Sequence, residues 1–304
     1  MSELPRTALS PYAGAAVGDY VQILKPRVMS LVVFTGFVGL VVAPGHLNPV
    51  LAAVAVLYIA VGAGASGAIN MWYDRDIDAV MRRTAMRPLP AGRMLPGEAL
   101  GFGVVLAVWA VAVMGLAVNW VAAELLALTI LFYVFVYTVW LKRRTPQNIV
   151  IGGAAGALPP LVGWAAATGD IGWGGIALFA IIFFWTPPHF WALSLYRAGE
   201  YEAAGVPMLP VVAGARETRR QMLIYTLMLW PATLAPWLLG IAGPAYGIGA
   251  GGLSLLFTVA ALRVWRDGDA GEGRSARQMF AFSLLYLFLV FTLLLVDHIG
   301  GAAG

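Results

Sequence analysis

The sequence predicts an all-α integral membrane protein: a bundle of nine transmembrane helices with a single charged, cytoplasmic pole. Three observations carry that reading. The 304 residues are 61% hydrophobic and only 11% charged, against roughly 25% charged residues in a soluble domain, so lipid must cover a surface that water could not. Apolar runs of about the 20 residues that a helical span requires recur along the chain. When those spans are threaded in order, all nineteen lysines and arginines fall on one side of the bilayer.

The spans run over 28–44, 50–73, 99–118, 121–141, 147–167, 172–196, 221–240, 246–265 and 278–297. Ahead of the first, residues 1–25 form an N-terminal arm, with Pro5, Arg6 and Pro11 but no compact apolar segment of the kind a cleavable signal needs. The connections then alternate. Those around Pro44–Pro49, Asn119-Trp120, Thr168–Asp170 and Gly243-Pro244 are short and hold no basic residue. The other side carries Arg6, Lys25 and Arg27, then Arg75, Arg82, Arg83, Arg87 and Arg93, then Lys142, Arg143 and Arg144. It also carries Arg197, Arg216, Arg219 and Arg220, and finally Arg263, Arg266, Arg274 and Arg277. Lys/Arg position sets orientation, so the N-terminus is expected in the cytoplasm and the C-terminus in the periplasm of a bacterial inner membrane. A wrong span count would scatter these residues over both faces, which favours nine. The whole chain, 1–304, reads as one membrane domain. Without cysteine, disulfides, thiolate metal sites and cysteine nucleophiles are excluded. The 36 glycines suit close helix packing in lipid, and Gly152, Gly153, Gly156 and Pro159-Pro160 predict a kinked or broken fifth span. Asp297 and His298 fall on the outer side and suggest no role.

The strongest chemical pattern is Asn70-Met71-Trp72-Tyr73-Asp74-Arg75-Asp76-Ile77-Asp78, at the cytoplasmic end of the second span. At 3.6 residues per turn, Asn70, Asp74 and Asp78 share one stripe, and Asp76 faces away. An amide followed by two carboxylates is a hard-oxygen set suited to Mg²⁺, with room for phosphate oxygens. Such an ion would offset the cost of carboxylates at membrane depth, about 2.5–3.5 kcal/mol each on insertion scales. The same residues serve equally as interfacial charges that end a helix and pair with Arg75, Arg82 and Arg83.

Two basic runs follow, Arg82-Arg83-Thr84-Ala85-Met86-Arg87-Pro88 and Lys142-Arg143-Arg144-Thr145-Pro146. Guanidinium forks match phosphate oxygens, and Lys142, nearest its span, is the better diphosphate candidate of the second run. Both runs also fit topology signals and contacts to anionic lipid. The sixth span ends Trp185-Thr186-Pro187-Pro188-His189-Phe190-Trp191. An ionisable residue within a span is a functional candidate; His189 could ligate an iron, accept a proton or hydrogen-bond a neighbouring helix. Glu200, beyond that span, offers a second carboxylate arm or is a solvated loop acid.

Together these segments resemble the UbiA superfamily of intramembrane prenyltransferases, and more narrowly its heme-farnesylating branch. The Asn-x-x-x-Asp-x-x-x-Asp stripe matches at Asn70, Asp74 and Asp78. The narrower match rests on Lys25-Pro26-Arg27-Val28-Met29, Arg83-Thr84 with Arg87-Pro88-Leu89, Thr145-Pro146-Gln147-Asn148, Trp185–Trp191 and Ala204–Pro210. The resemblance covers residues 19 to about 215; beyond them the chain is recognisable only as apolar spans. A second Asp-x-x-x-Asp stripe, common in the superfamily, is reduced here to Glu200 followed four residues later by Ala204.

The resemblance implies farnesyl transfer from farnesyl diphosphate to a vinyl group of heme B, with water added. It also implies Mg²⁺ held by Asn70, Asp74 and Asp78 with Glu200 as a further arm, diphosphate bound by Arg83, Arg87 and Lys142, and heme contacted by His189. The partners implied are the two substrates and membrane lipids, with no nucleic acid, and a hand-over of product to heme A synthase or terminal oxidase assembly. Two other readings stay open. One is a UbiA-type enzyme acting on an aromatic or quinone precursor; the other is a transporter or lipid-binding protein, which broken fifth and sixth spans would suit.

Overall fold

Proline and asparagine set where the helices begin. Pro26, Pro49, Pro96 and Pro244 each take a first helical position, where the missing N–H would have had no partner anyway. Asn48 and Asn119 accept hydrogen bonds from Val50 N (2.9 Å) and Ala122 N (2.8 Å) and so satisfy first-turn donors. The computed structural model describes residues 14–267 and 273–302. Arg6, with Pro5 and Pro11 of the expected arm, lies outside the described residues, as does the stretch 268–272.

In chain order the helices are α1 (Val17–Ile23), α2 (Pro26–Val41), α3 (Pro49–Tyr73), α4 (Arg75–Val80) and α5 (Pro96–Val113). Next come α6 (Trp120–Leu131), α7 (Asn148–Thr168), α8 (Trp173–Leu195), α9 (Ala198–Ala203) and α10 (Leu209–Val212). The chain closes with α11 (Gly214–Leu238), α12 (Pro244–Asp267) and α13 (Arg274–Ala302). Helices α5 and α6 continue as π-helical turns over Met114–Val118 and Phe132–Leu141. All regular structure among the described residues is helical.

Seven of these helices are long and apolar enough to cross a membrane, eight if the bent pair α1–α2 is one span. This is a multi-pass membrane protein. The expected seventh span, α11, forms a helix but falls short in apolarity, because Gln221, Trp230, Trp237, Pro231 and Pro236 dilute it. Buried hydroxyls tie it to its neighbours instead. The Tyr286 hydroxyl lies 2.8 Å from Thr233 Oγ1 and 3.1 Å from Ser254 Oγ, so α11, α12 and α13 share one polar knot.

The fifth span is not broken. Helix α7 runs without interruption through Pro159 and Pro160, and α8 does the same through Pro187 and Pro188. Close packing explains the tolerance. Helix α7 lies chiefly against α2 and α8, and it meets α2 backbone to backbone. A Cβ on Gly163 would sit 2.0 Å from Gly36 O, and one on Gly39 would sit 2.2 Å from Pro160 O. Small residues permit such approach where lipid offers no hydrophobic drive. The sharp bend falls elsewhere, at Lys25 between α1 and α2, which meet at 54°.

The loops without basic residues gather at one end of the bundle. Asn119 Nδ2 donates to Ala165 O and Ala166 O at 3.0 and 3.1 Å, and Gly45 lies against Ala167 O. Asp297, for which the sequence suggests no role, works at this end too. Its carboxylate accepts from Gly243 N (2.6 Å) and Tyr246 N (3.3 Å), which places a negative charge on the N-terminus of α12. Asp297→Ala is expected to cost about 1–2 kcal/mol, read as earlier heat-induced loss of monomer in detergent. An unchanged transition would contradict the assignment.

Candidate active site

The opposite end of the bundle collects charge. Helix α3 ends at Tyr73, but the turn carries on through Asp74 into α4, with Asp74 N bonded to Asn70 O (2.9 Å) and Asp78 N to Asp74 O (2.8 Å). The helical spacing therefore holds across the join. Asn70, Asp74 and Asp78 are buried at 4%, 1% and 3% exposure, whereas the Asp76 side chain is 62% exposed. The stripe and the outward-facing acid expected from the spacing are both present.

Cations from three parts of the chain converge on that stripe. Lys25 Nζ donates to Asn70 Oδ1 (2.7 Å), Lys142 Nζ is paired with Asp74 Oδ2, and Arg87 Nη1 meets Asp78 Oδ2 at 2.7 Å. Asn70 Nδ2 bridges to Asp74 Oδ2 (2.8 Å) and to Thr138 Oγ1 (3.0 Å). Arg143 lies 3.6 Å from Asp74 Oδ1 and grips Asp76 with both terminal nitrogens at 2.7 Å. That forked hydrogen bond holds the Asp76 carboxyl down at about 2, below the ordinary carboxylate range. Arg87, Lys142 and Arg143 thus pair with Asp78, Asp74 and Asp76, while Lys25 meets the neutral Asn70 amide. Buried charges persist only when paired.

Two features were not visible from spacing alone. Lys25 is the only non-glycine residue with positive φ among the described residues, at 55°. A residue before proline ordinarily extends, so this left-handed turn is strained by about 1–3 kcal/mol. It is the bend that carries the Lys25 ammonium to Asn70. Thr138 is the other. It sits in the π-helical stretch after α6, where its hydroxyl accepts from Asn70 Nδ2. The Lys-Pro pair at the mouth of the first span was the one available signal.

The remaining candidates distribute around this centre. Arg83 is exposed and makes no ion pair among the described residues. It faces Tyr201 of α9, whose phenol is raised by burial against the pull of Arg83, Lys142 and Arg197. Glu200 is paired with Arg197 rather than with the stripe, and Arg93 joins the loop after α4 to Asp19 of α1 at 2.8 Å. His189 lies apart, on α8. Its ring is sandwiched between Trp185 (4.3 Å) and Phe280 (4.7 Å), and its Nδ1 is 2.6 Å from Ser283 Oγ. Ser283 spends its own proton on Phe280 O (2.6 Å). With that proton on Phe280 O, His189 Nδ1 is the donor and Nε2 the lone-pair acceptor.

No group of three His, Asp or Glu side chains converges as a metal cage among the described residues; the stripe brings together two carboxylates and an amide. Two oxygens are left over: Asp74 Oδ1 and Glu200 Oε2 are buried without a hydrogen-bond partner. Mg²⁺ keeps most of its shell for water and phosphate and needs only one or two carboxylates. The Asn70–Asp74–Asp78 donor set fits that demand.

Comparison with known proteins agrees with this architecture. The UbiA prenyltransferase family matches residues 32–296. A protoheme IX farnesyltransferase of Brucella anthropi is 61% identical over 284 residues, 93% of this chain and 91% of the relative. Relatives of the same name from Parvibaculum lavamentivorans and Granulibacter bethesdensis are 58% and 60% identical over 98% of this chain, covering 94% and 96% of their own lengths. Among solved structures, a digeranylgeranylglyceryl phosphate synthase superposes with a TM-score of 0.78 at 18% identity, over 93% of this chain and 99% of its own. A UbiA homolog from Archaeoglobus fulgidus bound to DMAPP and Mg²⁺ gives 0.65, also at 18% identity, over 91% and 99%. With its buried amide–carboxylate stripe on an all-helical membrane bundle, the chain belongs to the UbiA prenyltransferase family.

Proposed function

We propose that this chain transfers a farnesyl group from farnesyl diphosphate to a vinyl group of heme B, with addition of water, releasing diphosphate. The observation that carries the reading is the 58–61% identity, over nearly the full chain, to relatives named protoheme IX farnesyltransferase. A transporter or a phenol-directed prenyltransferase is not favoured by those relatives, and the unbroken α7 and α8 remove the main structural motive for a transporter.

Asn70, Asp74 and Asp78 would hold Mg²⁺, with Glu200 Oε2 as a further oxygen. Bound there, the ion would neutralise the leaving diphosphate as a Lewis acid. Arg87, Lys142 and Arg83, joined by Lys25, bind the remaining diphosphate oxygens through charge-assisted hydrogen bonds. Their present partners, Asp78, Asp74 and Asn70, are the residues freed for the metal, so one rearrangement serves both ligands. Once the allylic C–O bond breaks, the carbocation must meet the vinyl carbon before it meets bulk water. The Trp185–His189–Phe280 stack and the surrounding lipid would keep water away. The vinyl group supplies the electron pair for the new C–C bond. One water then adds to the resulting cation and loses a proton, so the bond-forming step needs no strong base.

His189 contacts the heme through Nε2, the nitrogen that Ser283 leaves unprotonated. His189→Ala is expected to weaken heme binding and to alter the bound-heme absorption spectrum; unchanged affinity and spectrum would remove His189 from the site. With the basic residues of the sequence threading to one side, the Asp74 pole would lie on the cytoplasmic side of a bacterial inner membrane. The N-terminus is then cytoplasmic, α11 crosses as the seventh of nine spans, and the C-terminus is periplasmic. The acceptor assignment is tested by offering heme B and a phenolic acid together with farnesyl diphosphate and Mg²⁺. The heme is expected to take the prenyl group, and prenylation of the phenolic acid alone would overturn the reading.

A further inference from the structure

The cytoplasmic ends of α8 and α13 meet in a second basic cluster beside the Asp74 pole. Tyr196 caps α8, and two guanidiniums flank its ring, Arg197 at 5.7 Å and Arg277 at 5.3 Å from the centroid. The approach of the α13 start depends on Gly273, whose φ is +73° and on which a Cβ would lie 2.7 Å from Tyr196 Cβ. Arg277 is exposed and has no acidic partner among the described residues. Arg197 pairs with Glu200 through Nη1 alone, and its Nε is buried without a partner. The first turn of α13 adds its own positive end.

The cluster is continuous with His189. Tyr196 packs edge-on against Phe280 (6.3 Å), and Phe280 stacks on the His189 ring. His189 and Tyr196 are seven residues apart on α8, on one face and about 10 Å along the axis. A row of aromatic rings thus descends from two arginines at the rim to a buried imidazole.

We propose that Arg197 and Arg277 take the two carboxylates of the porphyrin acceptor, with its ring lying along the Tyr196–Phe280–His189 row. The inference rests on heme as the acceptor and extends it to a docking site that involves α13. Two guanidiniums against two carboxylates match in number, charge and fork geometry. The flat ring suits the aromatic row, and the acceptor's anionic edge stays at the water-facing rim while its apolar body enters the bundle.

The test compares heme B with its dimethyl ester, which keeps the ring and iron but has no free carboxylate. Both are titrated by Soret absorbance into purified wild-type protein and Arg277→Gln, in neutral detergent without the prenyl donor. Wild type is expected to bind heme B about 10-fold or more tightly than the ester, the scale of a charge-assisted hydrogen bond. Arg277→Gln should lose most of that preference while binding the ester as wild type does, which also shows that it is folded. Arg277→Lys should restore part of it. Equal binding of the two porphyrins by wild type, or an undiminished preference in Arg277→Gln, would overturn the docking site. Failure of wild type to bind either porphyrin would overturn the acceptor assignment beneath it.

Discussion

Asp74→Asn should lower prenyl transfer by at least about 10²–10³-fold, the scale seen when one preorganised electrostatic group is removed, while the chain still inserts and runs as a folded monomer. The side chain is almost wholly buried, at 1% exposure. Oδ2 is shared between Lys142 and Asn70, and Oδ1 is buried without a hydrogen bond, 3.6 Å from Arg143 Nη2. The amide keeps the size but removes the charge. It would also turn an N–H either toward the Lys142 ammonium or into the place a cation needs. Asp78→Asn should behave alike, since it strips Arg87 of its partner. Initial rates at saturating donor and acceptor, beside gel filtration of the same preparations, check this. Full activity in either variant would remove the metal-stripe argument.

Gly163→Ala should be the most damaging small substitution in the bundle, costing about 3 kcal/mol or more. In an ordinary helix interior the same change stabilises by roughly 0.5–1 kcal/mol, so the sign itself is diagnostic. The added Cβ would lie 2.0 Å from Gly36 O and 2.9 Å from Leu40 N. Both are backbone atoms of α2 and cannot swing away as a side chain would. Separating α2 from α7 would disturb the bend at Lys25, and with it the contact to Asn70. Gly252→Ala on α12, where the new Cβ meets nothing within 4 Å, is the matched control and should be neutral or slightly stabilising. Thermal denaturation of the three proteins in one detergent decides the matter; equal transitions would show that the α2–α7 contact yields.

The helices and the acid stripe were legible because each rests on a local rule. Apolar length marks a span, and 3.6-residue spacing puts Asn70, Asp74 and Asp78 on one face wherever the helix goes. The one-sided basic residues likewise marked the charged pole. Lys25 escaped because its role depends on a left-handed residue before proline, a conformation that local preference argues against. Thr138 escaped because the π-helical stretch from Phe132 to Leu141 shifts the register. The prolines of α7 and α8 misled for the opposite reason. They weaken a helix in isolation, yet here α2, α7 and α8 pack so closely that no break opens. Arg277 depends on its contact with the distant Tyr196, and periodicity says nothing of that.

A divalent ion and the basic pole are expected to act together on the donor's diphosphate while heme B receives the prenyl group. This is tested by incubating purified protein with heme B and farnesyl diphosphate, with Mg²⁺ or with excess chelator, and weighing the pigment by mass spectrometry. A farnesyl-plus-water adduct is predicted with Mg²⁺ and its loss is predicted with chelator. An adduct formed equally well in both, or none in either, would contradict the account.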